Sequence, residues 1–218
     1  MKFKFAKWTV VPVLALMVGG VAMAQDPSSG SSNTQTTTTS KTDPTVKQRK
    51  ENQQDRIANG IQNGQLTAGE TSKLETKEAA VNGEIKADRA ANGGKLTTAE
   101  KQQVNRQQNH LSRQIYRDKH NANTTHYGNN EVGQRRENQQ DRVAQGVKSG
   151  QLTAGETAKL ENQQKGINQQ VRTDRAANGG KLTPGEKAQV NHEQNQASRN
   201  IYRKKHNGRT QPGVAPKK

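Results

Sequence analysis

Large apolar residues are sparse in this chain and recur at helical intervals. Leu74, Val81 and Ile85 stand seven and four residues apart, and Val104, Leu111 and Ile115 repeat that spacing. Such intervals keep the side chains on one face of a 3.6-residue period. Gln, Asn, Lys, Arg and Glu fill the rest of each segment, and no period-2 run of useful length predicts a strand. Ile57 and Ile61 predict a shorter helix ahead of these two. The expected elements of the first half are helices over roughly 48–58, 68–90 and 98–118.

The same pattern then recurs. Residues 48–121 align without a gap to 134–207 at an offset of 86, with about two thirds of the positions identical. Ile57, Ile61, Val81 and Ile85 become Val143, Val147, Ile167 and Val171, whereas Leu111 becomes Ala197. A repeat this long predicts two tandem copies of a small three-helix domain, an all-α protein. Within each copy a shift of 30 residues maps Leu66, Thr67, Glu70 and Leu74 onto Leu96, Thr97, Glu100 and Val104, so the chain holds four loop-plus-helix units.

Each unit begins with a Thr followed three residues later by a Glu: Thr67/Glu70, Thr97/Glu100, Thr153/Glu156 and Thr183/Glu186. This is the capping-box signature, in which the hydroxyl accepts an orphan N–H of the first turn and the carboxylate reaches back to the N-cap N–H. Pro184 falls at the first helical position, where a missing N–H matters little. The glycines before each cap suit a sharp turn between helices. The phrase GQLTAGE, identical at 64–70 and 150–156, is thus expected to end one helix and start the next.

The ends read differently. Lys2, Lys4 and Lys7, an apolar run from Trp8 to Val21 and Ala22-Met23-Ala24 form an expected signal peptide over 1–24, which predicts export to the periplasm or medium. Residues 25–47 are Ser/Thr-rich and expected to be disordered, 122–133 a polar linker, and 208–218 a disordered basic tail. With the leader removed, the chain has three tyrosines as its only aromatics. It has no cysteine, so neither disulfides nor thiol chemistry are available. The apolar count is low for 74-residue domains, so a homodimer or a bound ligand would help to stabilise them.

Charge then narrows the partners. The whole chain carries +16, and +13 without the three leader lysines. Such a surface attracts anionic polymers and membrane surfaces, with extracellular nucleic acid a weaker expectation. The segments SRQIYRDKHN and SRNIYRKKHN, at 112–121 and 198–207, gather the cations around a tyrosine. The candidate anion-binding residues are Arg113, Tyr116, Arg117, Lys119, Arg199, Tyr202, Arg203, Lys204 and Lys205. The bland alternative is a helix C-terminus whose dipole suits positive charge, with each tyrosine packed beside the preceding Ile. No transmembrane segment is expected in the mature chain.

The loops also invite a second comparison. With Glu70 at position 12, Thr67 at 9, Leu66 at 8 and Gly64 at 6, the window resembles an EF-hand loop, and Glu156, Thr153, Leu152 and Gly150 repeat it. The resemblance implies divalent-cation binding by Asn59, Asn63 and Glu70, and by Gln145, Ser149 and Glu156. The donor set is poor: one carboxylate per loop, with Ile61 or Val147 at position 3. Only weak calcium binding in these two loops is implied, and otherwise no cofactor. In the other two loops Arg89 and Arg175 take position 1, although Gly94, Leu96, Gly180 and Leu182 fit. Enzyme chemistry has little support. The five histidines show no metal-binding spacing, and no nucleophile elbow or phosphate loop occurs. The functional expectation is a non-catalytic binder of anionic surfaces or polymers. A degenerate cation module and a structural or stress-related protein without a defined ligand are the alternatives.

Overall fold

The structure is a computed structural model that describes residues 45–214. The expected signal peptide, most of the Ser/Thr-rich segment and the last four residues lie outside the described residues. Six helices and no strand occur among the described residues: α1 Val46–Gln62, α2 Ala68–Ala91, α3 Thr98–Lys119, α4 Glu131–Lys148, α5 Ala154–Ala177 and α6 Pro184–Lys205. The protein is all-α.

The most extensive helix packing runs between the two halves of the sequence, α2 against α5 and α1 against α4. Helix α3 packs on α1 and α2, and α6 on α4 and α5. The central apolar cluster accordingly draws on both halves, with Ile57, Ile61, Leu66 and Leu74 meeting Val143, Val147, Leu152 and Leu160. Two smaller clusters, one around Val104 and one around Val190, lie farther out in each half. The thin stripes of the sequence thus complete one another.

The stripes are still too narrow to fill the interior, and glutamines do the rest. Gln53 is buried and donates to the Gln108 carbonyl at 2.7 Å, while Gln108 donates to the Val46 carbonyl at 3.1 Å. Gln139 and Gln194 repeat the arrangement at 2.8 and 3.0 Å. A glutamine buries two methylenes and still satisfies its amide hydrogens on backbone carbonyls, so it can serve as a core residue where a charged side chain would not. The polar face of the sequence pattern is therefore partly interior.

All four Thr/Glu boxes form, with the hydroxyl receiving the Glu N–H and the carboxylate receiving the Thr N–H. Helix α1 has its own box, Thr45 with Gln48. Gly64 and Gly150 adopt φ of +66° and +71°, a region that favours glycine. Leu66 and Leu152 then fold back over Gly60 and Gly146, where a Cβ would come within 2.7 Å of the leucine side chain.

Two segments expected to be unfolded are docked. The Thr125 N–H donates to the Gly64 carbonyl at 2.9 Å, and the Gln211 N–H to the Gly150 carbonyl at 2.9 Å. Thr125 and Gln211 are themselves 86 residues apart, so the linker and the start of the tail are equivalent straps over equivalent turns. The backbone groups of a glycine turn offered a partner that composition alone does not reveal.

Candidate anion-binding surface

The basic segments form the last turns of α3 and α6. Arg113, Arg117, Arg199 and Arg203 are exposed there, and Arg203 donates to Asn200 Oδ1 at 2.5 Å. The tyrosines do not pack into the core beside Ile115 and Ile201. Tyr116 and Tyr202 are 58% and 62% exposed, and each stacks on the histidine one turn later, His120 at 4.1 Å and His206 at 4.2 Å between ring centres. Successive helix positions point about 100° apart, so the residue directly after core-facing Ile115 or Ile201 projects off the apolar face. Each helix end thus presents a flat aromatic pair flanked by arginines. Sequence reasoning missed the two histidines; the Tyr-x-x-x-His spacing, one helical turn, is the signal that could have found them.

The lysines behave differently. Lys119 and Lys205 turn back across Gly60 and Gly146, and Lys205 Nζ donates to Gln145 Oε1 at 3.0 Å. Burial pushes both ammonium groups below the usual lysine range, with Arg56 beside Lys119 and Arg142 beside Lys205 adding to it. They brace the helix ends rather than face outward. Lys204 is half-buried and replaces Asp118 of the first half, so the α6 end is the more basic.

The carboxylates explain why so much cation is left outside. Glu75, Glu78 and Glu161 are fully buried on the inner faces of α2 and α5. Burial pushes Glu78 up to about 7 and Glu161 to about 8, while Glu75 is held well above the carboxylate range by burial and by its neighbour Glu78. Gln54 and Gln140 each donate to one oxygen of Glu75 and Glu161 at 3.2 Å, and Lys50 draws Glu78 downward. The capping glutamates are engaged too. Glu100 and Glu186 lie below the carboxylate range, chiefly because they accept the N–H of Thr97 and Thr183. Inward and capping carboxylates do not neutralise the outer arginines.

The candidate metal ligands are engaged elsewhere. Helix α1 runs through Asn59, whose carbonyl accepts the Asn63 N–H at 3.0 Å, so only residues 63–67 separate α1 from α2. Glu70 Oε2 accepts the N–H and hydroxyl of Thr67 at 2.9 and 2.7 Å, and Oε1 accepts Asn121 and Asn123 at 2.8 and 3.1 Å. Partial burial pushes Glu70 upward, but these donors outweigh it and hold the carboxyl low. Glu156 accepts from Thr153 and from Asn207, with Arg209 at 3.9 Å. Gln145 accepts from Lys205, and Ser149 donates to the Gly146 carbonyl. A cation at either glutamate would have to displace these donors.

No helix among the described residues is long and apolar enough to cross a membrane. No protein-family model, curated protein sequence or solved structure matches the chain.

Proposed function

We propose that the protein is an exported, non-catalytic binder of anionic polymers or surfaces, built from two copies of a three-helix unit, and that the α3 and α6 termini hold the anion. The observation that carries this reading is the segregation of charge. Glu75, Glu78 and Glu161 are fully buried and Glu70, Glu100, Glu156 and Glu186 are tied to helix caps, while Arg113, Arg117, Arg199 and Arg203 stand exposed beside stacked Tyr/His pairs. Arginine suits this role because its planar fork takes two oxygens of one phosphate, sulfate or carboxylate. Such binding is sequence-independent and weakens with salt as counterions compete for the polymer.

Retention on immobilised heparin at rising salt tests it. The Arg117→Ala/Arg203→Ala variant is expected to elute earlier, with the slope of log affinity against log salt reduced by about 1 for each arginine–anion pair removed. Unchanged elution of a folded variant would exclude the α3 and α6 termini from the binding surface.

A further inference from the structure

Each glutamate of the four Thr/Glu caps has a second carboxylate oxygen to satisfy, and an asparagine amide satisfies it every time. Glu70 accepts from Asn121 and Asn123 at 2.8 and 3.1 Å. Glu100 accepts from Asn92 at 2.8 Å, Glu186 from Asn178 at 2.9 Å and Glu156 from Asn207 at 2.7 Å. Asn92, Asn178 and Asn207 are each followed by glycine, whereas Asn121 and Asn123 precede Ala122 and Thr124.

Asparagine before glycine can convert its own amide, because no Cβ keeps the next backbone nitrogen from the side chain. That nitrogen gives its proton to solvent base and attacks Asn Cγ. The Cγ–Nδ2 bond breaks, and ammonia leaves with a proton returned by solvent. Water then opens the cyclic imide at either carbonyl, which yields aspartate or isoaspartate. Water is the sole co-reactant, and nothing is oxidised or reduced.

The chain has six Asn-Gly pairs, and the fold divides them. Asn59–Gly60 and Asn82–Gly83 lie inside α1 and α2, where the helix ladder holds the glycine nitrogen. After Asn63, the Gly64 N–H donates to the Ile61 carbonyl at 3.1 Å, and Gly64 is buried under the strap. Asn92–Gly93, Asn178–Gly179 and Asn207–Gly208 lie in exposed turns after α2, α5 and α6. Their glycine N–H groups donate to nothing among the described residues, and a Cβ at any of these glycines would meet nothing within 4 Å. Exposed turns also open at low cost, which frees the asparagine side chain to be attacked.

We propose that Asn92, Asn178 and Asn207 are deamidation sites, at each of which the chain converts the amide that supports a helix cap into a carboxylate facing the capping glutamate. A donor becomes an acceptor, and attraction becomes repulsion. Asn207 carries the largest consequence. It accepts the Arg209 N–H at 3.0 Å, and the segment it anchors continues to Gln211, which holds the Gly150 carbonyl and the Ala154 N–H. Arg209 lies 3.9 Å from Glu156 with its side chain 75% exposed, so it offsets little of the repulsion. The second half thus carries a strap that its own chemistry releases. The first half, anchored by Asn121 and Asn123, does not.

Peptide mass spectrometry of the folded protein, incubated near neutral pH beside a sample unfolded in urea, tests the assignment. Asn92, Asn178 and Asn207 are expected to convert in the folded sample, and all six pairs in urea. Conversion of Asn59, Asn63 or Asn82 in the folded sample as fast as the exposed three would overturn the selection by the fold. Any of the three that converts no faster than Asn121 and Asn123 is not a site. Amide hydrogen exchange reads the consequence. Asn207→Asp is expected to speed exchange at Gln211 and Ala154 at least about tenfold, while Asn92→Asp leaves both unchanged. Unchanged exchange in a folded Asn207→Asp variant would overturn the release of the strap.

Discussion

The phrase GQLTAGE and its relatives GKLTTAE and GKLTPGE build the same cap in two settings. The inner loops, at Thr67 and Thr153, lie under the docked straps and point a leucine into the shared core: Leu66 and Leu152 are 1% and 0% exposed. The outer loops, at Thr97 and Thr183, carry exposed caps, and Leu182 is only partly buried. Beside inner Gly64 a Cβ would lie 2.9 Å from the Thr125 carbonyl oxygen, whereas beside outer Gly94 it would meet nothing within 4 Å. Identical local chemistry thus carries different weight according to what packs over it.

The largest separation is expected from the leucines. Leu152→Ala should cost about 2–5 kcal/mol, as for other fully buried leucines, and Leu182→Ala clearly less. Urea unfolding of the two variants measures the difference, and equal losses would erase the distinction between inner and outer loops.

A pH dependence sharpens the same contrast from the side of the inner helices. Glu78 and Glu161 titrate near 7 and 8 in the fold, and Glu75 also lies above its unfolded value. Because the folded state holds these protons more tightly, their contribution is complete below the ordinary carboxylate pKa and is lost as pH rises through about 7–8. Stability should therefore fall as pH rises between about 4.5 and 8. Glu75→Gln/Glu161→Gln should flatten most of that decline, leaving the part due to Glu78, with thermal melts at pH 5 and pH 8.5 as the readout. The outer caps Glu100 and Glu186 act in the opposite sense, since their stability is lost as pH falls through their lowered folded values.

The smallest effects belong to the caps themselves. Thr153→Ala should cost about 1–2 kcal/mol, because its loop is partly buried and water cannot readily replace the hydroxyl. Thr183→Ala should cost about 0.5–1 kcal/mol at its exposed site. Equal costs, measured by the same urea titrations, would show that the strap and the core add nothing to the cap.

Much of the helical scaffold was legible because its signals are local. Thr67 and Glu70 are three residues apart, and Leu74, Val81 and Ile85 share a face whatever packs against it. The straps were not legible. Thr125 and Gln211 lie in segments whose composition reads as unfolded, yet each pairs with a glycine turn about 60 residues earlier. Tyr116 and Tyr202 were legible in principle, since each follows a core-facing Ile by one position and precedes its stacking His by one turn.

By itself the sequence determined the helices, their caps and the duplication, because propensity, capping and periodicity act over a few residues. Tertiary structure decided which polar residues are interior and which cations remain free. The packing of α2 on α5 and α1 on α4 creates the shared interior, and the packing of α3 on α1 and of α6 on α4 encloses Gln53, Gln108, Gln139 and Gln194. Burial is a property of surfaces brought together from distant parts of the chain, and no local pattern encodes the partner surface.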